Sequence, residues 1–321
     1  MQFCQIAAVT LSLWLFPMPV LADNTQTDWN GELSQAQQYL QNEQFDKAII
    51  AFTDAATRGN GLAQFTLGLI NDYGWGVPVS RASSCQWYLK SAQLDVPMAA
   101  FKLGECYQDA TWKTPDLSSA LNAFNKALGL GILSASIEIA KIQIHGSPQD
   151  KKDAVALLIQ SSNSGNTNAS LVLAKWYFHG TLLAKDYTAA YNLLSLSDPM
   201  NQPEAAWYLA QFYDRGLTIS KDIATAAYWY ETAASQHFEP AYLPTALLYY
   251  ELSSRYPNHH ETLISKAYLW ATVAYASGNK SKAPAEAILN DVKTAIPSAW
   301  STEFDKKAKD FLALGNLGKQ S

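Results

Sequence analysis

Between Glu204 and His237 the apolar positions follow a helical spacing twice, with a turn between the two runs. Ala205, Leu209, Ala210 and Tyr213 fall at i, i+4, i+5 and i+8, one face of a helix. Arg215-Gly216 ends that helix, because glycine takes the left-handed cap at no steric cost. Asp222 stands where a second helix begins, and Ala226, Trp229, Tyr230 and Ala233 form its apolar stripe. Small residues let two backbones approach, and rings fill the space beside them. Such a hairpin leaves apolar surface uncovered, so further copies are expected on either side of it.

The copies are there. A small residue, a large pair three and four positions on, and another small residue seven on recur at Ala48, Ser84, Ala120, Ala154, Ala190, Ala226 and Ala267. The marks are spaced 36, 36, 34, 36, 36 and 41 residues apart. First helices repeat in step at Leu67-Gly68, Leu103-Gly104, Ile139-Ala140, Leu173-Ala174, Leu209-Ala210 and Thr245-Ala246. Pro97, Pro203 and Pro240 precede first helices, where a proline costs nothing, and they place the repeat boundaries independently. The pattern predicts an all-α solenoid of seven helix pairs with no sheet. Trp229 and Tyr230 are expected to be buried between neighbouring hairpins.

At these residues the chain resembles the Sel-one-like repeats, a subclass of the tetratricopeptide-like solenoids. LGLINDYGWGV and CQWYLKSA stand in order between Ala63 and Ala92, and Ala205 to Ala234 matches as well. Asn71 and Gln143 depart from the pattern, at positions where tyrosine is usual. The resemblance implies a right-handed superhelical α/α solenoid of tandem helix-turn-helix repeats. Six such repeats are expected over residues 61–279. Residues 23–60 look like a plain tetratricopeptide hairpin with a short turn at Asn42 to Gln44, and residues 280–321 like C-terminal capping helices. In that cap Ala283 to Ile296 reads as helical, Pro297 as a break, and Ser301 as the opening of a last helix ending near Gly315.

Residues 1–22 have the form of a secretory signal, with an apolar run from Ile6 to Phe16 and Val20-Leu21-Ala22 as the cleavage site. The alternative is an uncleaved anchor, but the run falls short of the roughly 20 apolar residues of a spanning helix. Cleavage would leave a chain with no stable membrane span, placed in the periplasm or secreted. The net charge of −5 and the lack of a basic run longer than Lys306-Lys307 argue against nucleic acid as a partner.

Catalytic signals are scarce: the chain has no G-x-S-x-G, H-E-x-x-H, paired C-x-x-C or phosphate-cradling loop. His259-His260 are adjacent residues in what reads as a polar loop after Pro257, a poor metal pair. His145, His179 and His237 fall at helix ends, where they are expected to meet the last carbonyls. Trp75 and Trp112 are expected to pack over turns. No cofactor, metal or catalytic residue is therefore assigned, and the chain reads as a non-enzyme. After loss of the signal only Cys85 and Cys106 remain, a bridge candidate in an exported chain. They lie 11 and 10 residues from Val96 in the turn between their helices, at matching heights. The alternative is two small buried residues pointing apart.

The resemblance implies a scaffold or adaptor that holds a protein or peptide partner. The alternatives are an enzyme acting on cell-wall or β-lactam-like ligands, and a structural part of an envelope machine. In tetratricopeptide-like solenoids first helices line the concave side, which places three positions per repeat in the groove. They are Phe65, Leu69 and Asp72; Phe101, Glu105 and Gln108; Ile137, Lys141 and Ile144; Leu171, Lys175 and Phe178; Trp207, Gln211 and Asp214; Leu243, Leu247 and Tyr250. A competing expectation is that Phe65, Phe101 and Trp207 only pack between repeats.

Overall fold

The seven residues that set the register, Ala48, Ser84, Ala120, Ala154, Ala190, Ala226 and Ala267, are all fully buried in the computed structural model. It describes residues 29–278 and 281–317, so the signal-like segment 1–22 lies outside the described residues. A short α1 (Trp29–Glu32) precedes α2 (Ser34–Gln41) and α3 (Phe45–Thr57), the plain N-terminal hairpin. Then follow α4 (Gly61–Tyr73), α5 (Arg81–Gln93), α6 (Pro97–Gln108), α7 (Leu117–Gly129), α8 (Ala135–Gln143) and α9 (Pro148–Asn163). The series continues with α10 (Thr167–His179), α11 (Tyr187–Ser195), α12 (Pro203–Arg215), α13 (Ile223–Ser235), α14 (Tyr242–Arg255) and α15 (His260–Ala276). Two further helices, α16 (Lys282–Lys293) and α17 (Ser298–Leu317), close the chain. Among the described residues there is no strand. The chain divides into two compact units, the first ending at Leu157 and the second beginning at Leu158.

The repeat is written into its turns as well as its core. Ser80, Asp116, Asp186 and Asp222 each cap a second helix, accepting from backbone N–H groups of the first turn. The backbone N–H of each donates nine residues back, to the carbonyls of Asn71, Tyr107, Tyr177 and Tyr213. First helices open in two ways. Asn60 and Asn166 cap α4 and α10 with their side chains, whereas Val96 and Gln202 make no cap and are followed by proline at the first helical position. Gly216 ends α12 at φ +67°, as the hairpin pattern requires.

In unit 1 the small marks on first helices decide how close the pair can come. A Cβ on Gly68 would overlap the Tyr88 ring, and one on Gly104 would lie 2.5 Å from the Phe124 ring. Those rings are fully buried and sit at the large positions of the facing second helices. In unit 2, Ala206, Ala210, Ala226, Ala233 and Ala246 alternate with Tyr230, Tyr242, Tyr249 and Trp270 in one core cluster. Tyr230 is buried as expected, but Trp229 is only half-buried. It packs against the core clusters of the neighbouring hairpins on both sides but keeps part of its surface open, with its ring 5.1 Å from that of exposed Tyr228.

The C-terminal segment differs from the sequence reading in its boundaries. α16 ends at Lys293, and α17 opens directly after Pro297 at Ser298 and runs past Gly315. Gly315 is not a helix stop. Its missing side chain leaves room for the His237 ring, which a Cβ there would strike at 2.5 Å. α17 seats Phe304, Phe311 and Leu312 on the core of unit 2, and Tyr268 donates to Asp305 at 2.8 Å.

Candidate functional site

The first-helix row in unit 1 holds two copies of one arrangement. Phe65 rests on the Tyr88 ring at 5.7 Å, and Phe101 on the Phe124 ring at 5.4 Å. Each first-helix ring leans on a buried ring one helix away and remains half-buried itself. Leu69 is likewise half-buried. In unit 2, Trp207 packs against Tyr208 at 4.9 Å and Phe238 at 5.9 Å while keeping part of its surface accessible. Leu247, on α14, is 45% exposed, and the hydroxyl of half-buried Tyr250 donates to Asp291 at 3.4 Å.

Several expected surface positions belong to the core instead. Phe178 is buried among the rings of Tyr187, Tyr208 and Phe212. Ile137, Ile144 and Leu171 are buried too, so a fixed three-position rule overstates the open face. Gln211 is also buried, and its side-chain nitrogen has no hydrogen-bond partner among the described residues. These five offer a partner little or no surface.

The charged positions of the row are all engaged. Asp72 accepts from Arg81 at 2.9 Å and from the Tyr88 hydroxyl at 3.0 Å, and Arg81 reaches on to Asp109 at 2.9 Å. Glu105 pairs with Lys102 at 2.8 Å and Lys141 with Glu138 at 2.8 Å. In unit 2, Lys175 pairs with Glu204 at 2.6 Å and Asp214 with Lys221 at 3.6 Å. Burial, reinforced by Asp72, drives the Tyr88 hydroxyl well above the ordinary tyrosine range. Burial and then Glu204 push Tyr208 up to about 12. Both phenols therefore stay neutral and serve as hydrogen-bonding groups, Tyr88 to Asp72 and Tyr208 with His179.

The remaining candidates resolve individually. Cys85 on α5 and Cys106 on α6 are joined by a disulfide, fully buried, with Cα atoms 5.8 Å apart. Trp75 stacks on Tyr73 at 5.2 Å and Trp112 leans on Tyr107 at 5.4 Å, both over turns as expected. His145, His179 and His237 do fall at helix ends, but the rings of the last two meet side chains and not the last carbonyls. His179 shares a 2.6 Å hydrogen bond with the Tyr208 hydroxyl, and His237 stacks on Phe311 at 4.1 Å. His259 ends a 3-10 turn and His260 opens α15, its Nδ1 lying 3.1 Å from the Ser253 carbonyl, so the pair is not in a loop. Among the described residues no three His, Cys, Asp or Glu side chains gather as metal ligands, and no helix is long and apolar enough to cross a membrane.

Sequence reading missed the polar locks between repeats. Glu231 on α13 accepts from Lys266 at 2.6 Å, Tyr249 at 2.6 Å and Trp270 at 3.3 Å, tying three helices together. The three donors lie 18 to 39 positions from Glu231, so no local motif could have paired them with it.

With this geometry in view, the relatives are informative. The chain is 27% identical to a chitin synthase regulator of Saccharomyces cerevisiae over 202 residues, which are 59% of this chain and 29% of the regulator. It is 25% identical to an uncharacterized protein of Neisseria meningitidis over 62% of this chain and 41% of that protein. The chain thus spans less than half the length of either. Among solved structures, a protective antigen of uropathogenic Escherichia coli displaying an SLR fold superposes with a TM-score of 0.63 at 24% identity. That match covers 88% of this chain and 61% of the antigen, and it speaks to the fold alone. The Sel1 repeat model matches five times, at residues 61–96, 97–131, 135–166, 168–197 and 203–238. The expected sixth repeat falls outside those matches; α14 and α15 keep its small marks but carry extra 3-10 turns at Glu239–Ala241 and Pro257–His259. Since the five matches together cover just over half of its length, the chain belongs to the Sel1-repeat family.

Proposed function

We propose that this chain is an exported, non-enzymatic scaffold that holds a protein or peptide partner on its first-helix rows. Sel1-repeat proteins are in general non-enzymatic scaffolds that mediate protein interactions. The observation that carries the reading is the set of half-buried rings on first helices: Phe65, Phe101 and Trp207, three positions before their small marks, and Tyr250, seven positions further along the same helical face. Rings rooted in the core and open on one side have the composition of an interaction hot spot. Two features support export to the periplasm or beyond: the signal-like residues 1–22, and a buried disulfide of the kind that persists in oxidising compartments.

The test is a Trp207→Ala, Tyr250→Ala double variant, compared with wild type by thermal melting and by pull-down from an envelope fraction. A variant that folds and loses one stoichiometric partner supports the scaffold. One that folds and captures the same partner as wild type removes the first-helix row from the binding surface. Turnover of muropeptides or a lactam by the purified chain would point to an enzyme instead. Export is tested by N-terminal sequencing of the chain recovered outside the cytoplasm. Asp23 is the expected first residue, and retention of Met1 overturns cleavage.

A further inference from the structure

We infer that the partner of this surface is a peptide segment without net charge, anchored by apolar side chains. The inference rests on the scaffold reading and specifies its ligand. All five charged positions of the first-helix rows, Asp72, Glu105, Lys141, Lys175 and Asp214, are already paired with an opposite charge in their own unit. Each of these charges is neutralised by a neighbour, so neither row offers a block of one sign to steer a charged ligand. Beside those neutralised pairs the rows expose apolar side chains: Phe65, Leu69 and Phe101 in unit 1, and Trp207, Leu243 and Leu247 in unit 2. The rings are immobilised from behind by Tyr88, Phe124 and Phe238, so little side-chain freedom is lost when a ligand covers them. Phe65 and Phe101 repeat 36 residues apart on α4 and α6, which offers two like seats to successive apolar side chains of one segment. An extended or helical stretch bearing leucine, phenylalanine or tryptophan and closed by neutral polar residues fits this composition.

The experiment is selection of a random 12-residue peptide display library on the purified chain. Synthetic copies of the enriched peptides are then titrated by fluorescence polarisation at about 50 and about 500 mM salt, where exposed charges are screened to different extents. The expected peptides carry near-zero net charge and apolar anchors. Their Kd values should change by less than about threefold with salt, and rise about tenfold or more in Phe65→Ala, Phe101→Ala or in Leu247→Asp. Leu247 is largely exposed, so its substitution tests the surface without breaching the core. Enrichment of acidic or basic peptides whose binding falls about tenfold in salt and is lost in these variants overturns the inference but leaves the scaffold reading standing. Absence of enrichment, or peptides that bind the variants as well as wild type, overturns both.

Discussion

Gly68 and Gly104 show how one atom sets the fit of a repeat. Each lies under a buried ring where a methyl group has no space, so Gly68→Ala is expected to cost about 1–3 kcal/mol by overpacking. Denaturant titration measures this; an unchanged midpoint would mean that α4 and α5 slide apart without penalty. Gln211 makes the opposite case. Its buried side-chain nitrogen lacks a partner, and an unsatisfied buried donor typically costs about 1–3 kcal/mol. Gln211→Met, similar in volume and free of polar atoms, should therefore raise the melting temperature. A lower one would show that the amide has a partner in solution. Asp222 links a residue to pH. Its carboxyl is held below the ordinary carboxylate range, first by the Thr225 hydroxyl and then by the Thr225 backbone N–H. A depressed folded pKa contributes stability that is present above the unfolded value, near 4, and is lost as pH falls through the folded value. Asp222→Asn keeps a capping oxygen but removes the titration, so its stability should fall less steeply than wild type below about pH 4. Identical acid limbs for the two proteins would remove Asp222 from the acid response.

Helices and turns were the most legible level, because a period near 36 residues fixes small and large positions across many copies. The seven marks, the prolines at 97 and 203 and the cap at Asp222 can be read locally, and the structure puts each where the pattern puts it. What could not be read depends on residues far apart in sequence. Gly315 looks like a helix stop until His237 is found against it, 78 residues earlier in the chain. Phe178 sits at a position that keeps accessible surface at Asp72, Gln108, Asp214 and Tyr250 but is closed over by Tyr187, Tyr208 and Phe212. The candidate surface was therefore legible as a row but not as a list of exposed residues. α17 allows a test at this scale. Phe311 contacts His237, Tyr242 and Trp270, so Phe311→Ala should speed amide exchange in α17 and lower the melting temperature. Unchanged exchange in α17 would mean that Phe304 and Leu312 suffice to hold it.

A solenoid is held by contacts between neighbouring pairs, so its stability is close to a sum of local terms, and a perturbation should fade with repeat distance. The Cys85–Cys106 bridge is a natural local perturbation. It joins the second helix of one pair to the first helix of the next, within unit 1, and closes a loop of 21 residues. A crosslink of that span typically contributes about 2–4 kcal/mol, mostly by restricting the unfolded chain. Cys85→Ser, Cys106→Ser removes it without a reductant; because both positions have no exposed surface, it also buries two hydroxyls, and Cys85→Ala, Cys106→Ala serves as the second version. In either variant, amide exchange should accelerate strongly in α5 and α6, less in α4 and α7, and hardly at all in α13 and α14 of unit 2. Thiol titration of the unfolded, unreduced chain lacking residues 1–22, and with them Cys4, should find no free cysteine. Two free thiols would remove the bridge. Equal acceleration in α5 and α13 would instead show that the molecule unfolds as one cooperative block, and the nearest-neighbour account of its stability would have to be given up.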